Sequence, residues 1–184
     1  MAGLAFRLTQ VKGRHAGRRR LMERATARAI PRKKGDYMYK NILVPTDGSP
    51  LSRKAVLASV RLAKALGATV TGFYAAPPAT PVEYRGMLPV GYSDPAVRAR
   101  LIKRTAEQRL AVIEKAARAA GVRCKVEHVT DDFPADAILT AARRNRCDCI
   151  FMASHGRHGF KPSLLGSQTQ KVLAQSKVPV VVHR

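Results

Sequence analysis

Lys40-Asn41-Ile42-Leu43-Val44-Pro45-Thr46-Asp47-Gly48-Ser49-Pro50 decides the fold of this chain. Its first half is a short, partly β-branched apolar run that ends at a proline, and Lys40–Pro45 therefore reads as a strand. Apolar side chains at consecutive positions leave neither face for water, which suits a central strand of a parallel sheet covered on both sides. The second half supplies loop and cap residues. A helix follows from about Leu51 to Leu66 and stops at Gly67.

The same alternation continues toward the C-terminus. Thr69–Ala76 is a second strand, after which Pro77, Pro78, Pro81, Pro89 and Pro95 mark a long loop too rich in proline for a helix. From Ala96 to Ala120, Ile102, Ala106, Leu110, Ile113 and Ala117 recur at intervals of three and four and define one helix face, closed by Gly121. Strand Val122–Val129, helix Pro134–Arg146, strand Cys147–Ala153, helix Ser163–Gln175 and strand Val178–His183 complete the series. Five strands joined by four crossovers predict an α/β fold: a doubly wound five-stranded parallel sheet, order 3-2-1-4-5, with helices on both faces.

Composition agrees with one globular domain. The chain has 184 residues, 46% of them hydrophobic and 25% charged, and no apolar run of about 18 residues that could cross a bilayer. A soluble, cytoplasmic protein without a membrane partner is expected. Cys124, Cys147 and Cys149 form an odd set that suits reduced thiols. Cys147 and Cys149 lack the usual spacing of half a metal site, and as the opening of an apolar run they read as buried strand residues.

The net charge of +22 is unevenly spread. Residues 1–37 hold eleven Lys or Arg against Glu23 and Asp36, include Arg18-Arg19-Arg20, and show no sustained apolar period. They read as a basic, disordered extension preceding a domain of residues 38–184. An organelle transit peptide has this character. A start codon placed upstream of Met38 accounts for the segment equally well. Such a basic excess favours anionic partners without specifying the fold.

In a doubly wound sheet, ligands bind beyond the carboxyl ends of the strands where the crossovers diverge. With the expected order, strands one and four adjoin there, so the loops beginning at Pro45-Thr46-Asp47 and at Ser154-His155-Gly156 share a crevice. An acid after strand one accepts hydrogen bonds from ribose hydroxyls or holds a metal, and glycines leading into a helix expose N–H groups toward phosphate. Taken singly, Asp47 is equally a helix cap and the glycines equally a turn. His155, Arg157 and His158 add potential charge to the second loop, although loop histidines are usually just solvated.

Met38-Tyr39-Lys40-Asn41-Ile42-Leu43-Val44-Pro45-Thr46-Asp47-Gly48-Ser49, the later Ser154-His155-Gly156 followed after nine residues by Gly166-Ser167, and the closing Pro179-Val180-Val181-Val182 resemble the universal stress protein family. The resemblance spans Met38 to Arg184. The family's nucleotide-binding branch has Gly-x-x-Gly-x9-Gly-Ser/Thr as its phosphate loop. Here Ala153 stands at the first glycine, while Gly156, Gly166 and Ser167 keep the remainder. If that position needs positive φ or close phosphate approach, the methyl costs about 1 kcal/mol or more.

The resemblance implies a stress-response factor that binds ATP or another adenine nucleotide, with Mg²⁺ as a companion ion at Asp47. It places Asp47 near the ribose; Pro45, Thr46 and Ala75 near the adenine; Met152 beside it; and Ala153, Gly156, Gly166, Ser167 and Gln168 along the phosphates. It also implies a homodimer through the apolar edge strand Val178–His183. A Walker loop is absent, as is a nucleophile elbow, so no catalytic residue is assigned. Slow nucleotide hydrolysis, with Asp47 on Mg²⁺ and Arg157 or His158 on phosphoryl oxygens, is one alternative. The other is nucleic-acid binding through the basic extension and the Ala96–Ala120 helix, expected to be nonspecific for want of aromatic platforms.

Overall fold

The computed structural model describes residues 38–78, 83–85, 88–90, 94–155 and 165–184. The basic extension 1–37 lies outside the described residues. Along the rest of the chain run β1 (Asn41–Pro45), α1 (Pro50–Leu66), β2 (Thr69–Ala76), β3 (Glu83–Arg85), β4 (Leu88–Val90), α2 (Pro95–Ala120), β5 (Cys124–Thr130), α3 (Pro134–Arg144), β6 (Cys149–Ala153), α4 (Ser167–Gln175) and β7 (Val180–His183).

The main sheet has the order β5-β2-β1-β6-β7 with every neighbouring pair parallel. Counting only its own strands, this is the expected 3-2-1-4-5 arrangement. The extra pair β3-β4 is antiparallel and forms a separate two-stranded sheet within the stretch expected to be plain loop. Pro89 pairs with Tyr84 there. Both strands of such a ribbon are edges, where a residue lacking an N–H is tolerated.

β1 sits in the middle because it is apolar at consecutive positions: Ile42, Leu43 and Val44 are each 0% exposed. Ile42 and Val44 join the core beneath α1 and α2, and Leu43 joins the opposite core beneath α3 and α4. This is the strand's period of two, satisfied on both faces. On the α2 side, Gly72 of β2 leaves room for Ile113. A Cβ there would lie 2.9 Å from Ile113 Cδ1 and 3.0 Å from Val126 Cγ1.

Local chemistry sets the helix ends. Ser49 Oγ accepts the N–H of Ser52 to start α1, Asp94 accepts that of Ala96 to start α2, and each has proline in its first turn. Gly67 and Gly121 end these helices in the left-handed region, at φ 64 and φ 69. α3 stops at Arg144, two residues before the expected end, because Arg146 adopts φ 52 and Cys147 N–H bonds back to Ala142. Of the expected start of the last helix, Ser163 lies outside the described residues, and the helix proper begins at Ser167.

Cys147 and Cys149 are buried, and all three cysteines are free thiols. Burial pushes each thiol up from its ordinary value, that of Cys149 to about 11. At the amino ends of the strands, the Asp148 carboxylate accepts the N–H groups of Lys40 and Asn41 at 2.8 and 3.0 Å, fastening β1 to the chain entering β6. No helix among the described residues is long and apolar enough to cross a membrane.

Candidate functional site

β1 and β6 are in register only at Ile42–Cys149 and Leu43–Ile150. Beyond these pairs the two strands run on without matched partners across the seam, β1 to Pro45 and β6 to Ala153. Crossovers α1 and α3 leave the sheet on opposite faces. At this divergence lies a cavity of about 440 Å³, within the range of small-molecule sites.

Pro45, Thr46 and Asp47 enter it from β1 and the turn that follows. The turn is held from within: Thr46 N–H bonds to Phe73 O, Gly48 N–H to Thr46 Oγ1, and Ser49 N–H to Asp47 Oδ1 at 3.0 Å. Gly48 stands at φ 79, and a Cβ on it would come within 3.2 Å of the Arg109 side chain. The acid is thus carried on a fixed turn with glycine required beside it.

The opposite wall begins at α4. Gly166 is its N-cap and brings no capping side chain, so the first N–H groups of the helix lack intrahelical partners. Together with the helix dipole they make this end attractive to anions. Gly166 has an ordinary φ of −62. Its glycine is needed for closeness instead: its N–H donates to Ser154 O at 2.8 Å, and a Cβ would meet His155 Cα at 3.1 Å. Thr169 Oγ1 donates to Ala153 O and ties the first turn of α4 to the end of β6.

Of the ten residues expected in a nucleotide site, Pro45, Thr46, Asp47, Ala75, Met152, Ala153, Gly166, Ser167 and Gln168 all line this one cavity. Gly156 lies outside the described residues, as do Arg157 and His158. Gln168 has a second engagement, for its Oε1 accepts the N–H of Ala135 in the first turn of α3 at 3.1 Å. Ala153 lies in a regular strand, and among the described non-glycine residues only Arg146 has positive φ. The alanine therefore imposes no backbone strain, leaving phosphate approach as the only route by which its methyl can act.

His155, which the sequence marks as a potential charge in the second loop, lines the cavity with its Nδ1 3.0 Å from Ser154 Oγ. The structure adds wall residues that the sequence reading did not single out, of which Phe73 and Ile138 supply apolar surface. Asp131 and Asp132 enter from the loop between β5 and α3. Asp131 is anchored by its own N–H on Ala76 O, and its Oδ1 accepts Phe133 N–H. The signal for this loop was the general rule that strand-to-helix loops carry function, applied to the remaining strand end. Among the described residues no three or more His, Cys, Asp and Glu gather as a metal site.

A parallel five-stranded sheet with a cavity at its crossover divergence defines a doubly wound α/β protein with a candidate ligand site. The universal stress protein family model matches residues 38–184, and the chain belongs to that family. It is 30% identical over 150 residues to universal stress protein MJ0531 of Methanocaldococcus jannaschii, covering 82% of this chain and 85% of that protein. It is 32% identical over 147 residues to a universal stress protein of Thermus aquaticus, covering 80% of this chain and 100% of that one. Among solved structures, hypothetical protein MJ0577 superposes with a TM-score of 0.60 at 24% identity, over 79% of this chain and 96% of that one. A universal stress protein in complex with cAMP gives 0.60 at 23% identity, over 79% and 97%. One from Archaeoglobus fulgidus in complex with dAMP gives 0.52 at 18%, over 79% and 98%.

Proposed function

We propose that this stress-response protein binds an adenine nucleotide, ATP in particular, in the cavity between the Asp47 turn and the start of α4. One observation carries the reading: a carboxylate on a fixed turn and a helix N-terminus without a capping side chain line the same crevice, suiting ribose and phosphate respectively. Asp47 takes the ribose hydroxyls. Pro45, Thr46, Ala75 and Met152 surround the base, and Gly156, Gly166, Ser167 and Gln168 follow the phosphates. The cAMP and dAMP complexes of the structural neighbours support this ligand class.

Mg²⁺ is compatible with this donor set, since the ion commonly takes one or two carboxylates along with phosphate oxygens. Asp47 is the carboxylate for that role. The protein is a binder that works in the cytoplasm as a homodimer paired through the edge strand β7, whose residues are all half-buried in the single chain. The functional domain is residues 38–184, with 1–37 as an extension not needed for the ligand.

Acid precipitation of the purified protein, with identification of the released nucleotide, tests the class. Calorimetry tests the roles: Asp47→Ala weakens adenosine and ATP alike, Gly166→Val penalises ATP more, and Ala153→Gly tightens ATP if the methyl crowds the phosphates. Absence of ATP binding at millimolar nucleotide in both the parent and Ala153→Gly overturns the proposal.

A further inference from the structure

The cavity leaves unexplained how charge is divided between the two helix layers. α1 and α2 pack on one face of the sheet, α3 and α4 on the other. α1 carries Arg53, Lys54, Arg61 and Lys64 with no carboxylate, and α2 has seven cations against Glu107 and Glu114. The opposite layer has only Arg143, Arg144 and Lys171 against Asp136. Most of the helical charge excess is on one side, +9 against +2.

Within that layer the four cations of α1 are exposed, as are Arg100, Lys103 and Arg104 of α2. Among the described residues none of these cations forms a salt bridge, and Glu107 is the carboxylate within helical reach of Lys103 and Arg104. The salt bridge found among the described residues, Arg144 with Glu127, belongs elsewhere. The first half of α2 contributes nothing fully buried before Ala106, and Arg100, Lys103 and Arg104 stand exposed along it. Clustered like charge destabilises a compact state unless an outside anion relieves it.

We propose that the outer face of α1 and α2 docks the phosphate backbone of duplex nucleic acid, without sequence preference. The chemistry favours a duplex over other polyanions. Neither helix has an aromatic residue, which removes the stacking platform that single strands need. Arg and Lys are mixed along both helices, and such contacts position a backbone without reading bases. α1 is roughly 25 Å long at 1.5 Å per residue, about seven base pairs of duplex at 3.4 Å each. Leu57 and Leu101, 52% and 57% exposed, are the larger apolar side chains there. Since neither helix carries a Trp or Tyr of its own, the two leucines make a poor wedge for a bilayer.

The test uses the full chain and fluorescence anisotropy with two unrelated labelled 20-base-pair DNA duplexes between 50 and 200 mM salt. Both duplexes are expected to bind equally, with affinity falling steeply as salt rises. Arg53→Glu/Arg61→Glu/Arg104→Glu should weaken binding at least about tenfold and flatten the log-log salt slope by about 3. Arg143→Glu/Lys171→Glu on the other layer should change it less than about twofold. Millimolar ATP should not compete, which separates this face from the cavity.

Circular dichroism and thermal midpoints verify that the variants fold, and Arg53→Gln/Arg61→Gln/Arg104→Gln replaces the reversal if it does not. Equal losses from the two layers would show diffuse charge and overturn the proposal. So would a loss seen only with Arg18→Ala/Arg19→Ala/Arg20→Ala, or displacement by ATP. Absence of duplex binding at 50 mM salt also overturns it, and capture by phosphatidylserine vesicles in that case would assign the face to membranes.

Discussion

The side-chain oxygen of Gln168 accepts the backbone N–H of Ala135 at 3.1 Å, so the first turn of α4 caps the first turn of α3. α3 has no capping side chain of its own at Phe133, and Ala135 is buried. Gln168→Leu would remove the partner of that part-buried N–H and should cost about 0.5–1.5 kcal/mol. A midpoint fall of roughly 2–4 °C for each kcal/mol is expected in a thermal scan. A midpoint matching the parent would mean that another group takes over the cap.

Gly72 and Ile113 make a second pairing that is open to test. Gly72→Ala places a methyl 2.9 Å from Ile113 Cδ1 and should destabilise by about 1–3 kcal/mol. Ile113→Val removes that terminal carbon and alone costs about 0.5–1.5 kcal/mol. The double variant should be more stable than the sum predicts, by about 0.5 kcal/mol or more, in urea unfolding. Strict additivity would assign the strain to Val126 Cγ1 and to Ile113 Cγ2, 3.0 and 3.1 Å from the added methyl.

The buried thiol of Cys149 gives stability a definite alkaline dependence. Its folded value is pushed up to about 11 from an ordinary 9.0, so the unfolded chain loses that proton first as pH rises. The contribution is fully present below pH 9 and declines between pH 9 and 11. Cys124 and Cys147, raised by the same burial, act in the same direction. The stability difference between the parent and Cys149→Ala should therefore shrink across that window. A constant difference from pH 8 to 11 would show that the thiol is not the source.

Where structure follows from near neighbours in the chain, the sequence is easily read. Thr69–Ala76 has its expected bounds, and Gly67 and Gly121 end their helices, because apolar runs and glycine stops are local signals. β3 and β4 were not legible, since three residues carry no usable period. The cavity divides in the same way. Asp47 and Gly166 belong to recognisable runs, whereas Asp131 and Asp132 reach the wall through strand order. The need for glycine at position 72 arises from Ile113, and the second task of Gln168 from Ala135, partners that lie far off in sequence.

The short register between β1 and β6 makes the sheet two leaves of unequal size. β5, β2 and β1 form one, matched from Val70–Cys124 to Ala76–Thr130 on one side and from Asn41–Thr69 to Pro45–Phe73 on the other. β6 and β7 form the smaller leaf. An occupant touching Asp47 on the large leaf and Ser167 beside the small one spans the joint like a dowel. Filling the cavity should slow amide hydrogen exchange in β6 and β7 more than in β2 and β5. The same molecule that is recognised would then set how long the smaller leaf stays shut, and any partner reading the β7 edge would be reading a clock as much as a shape.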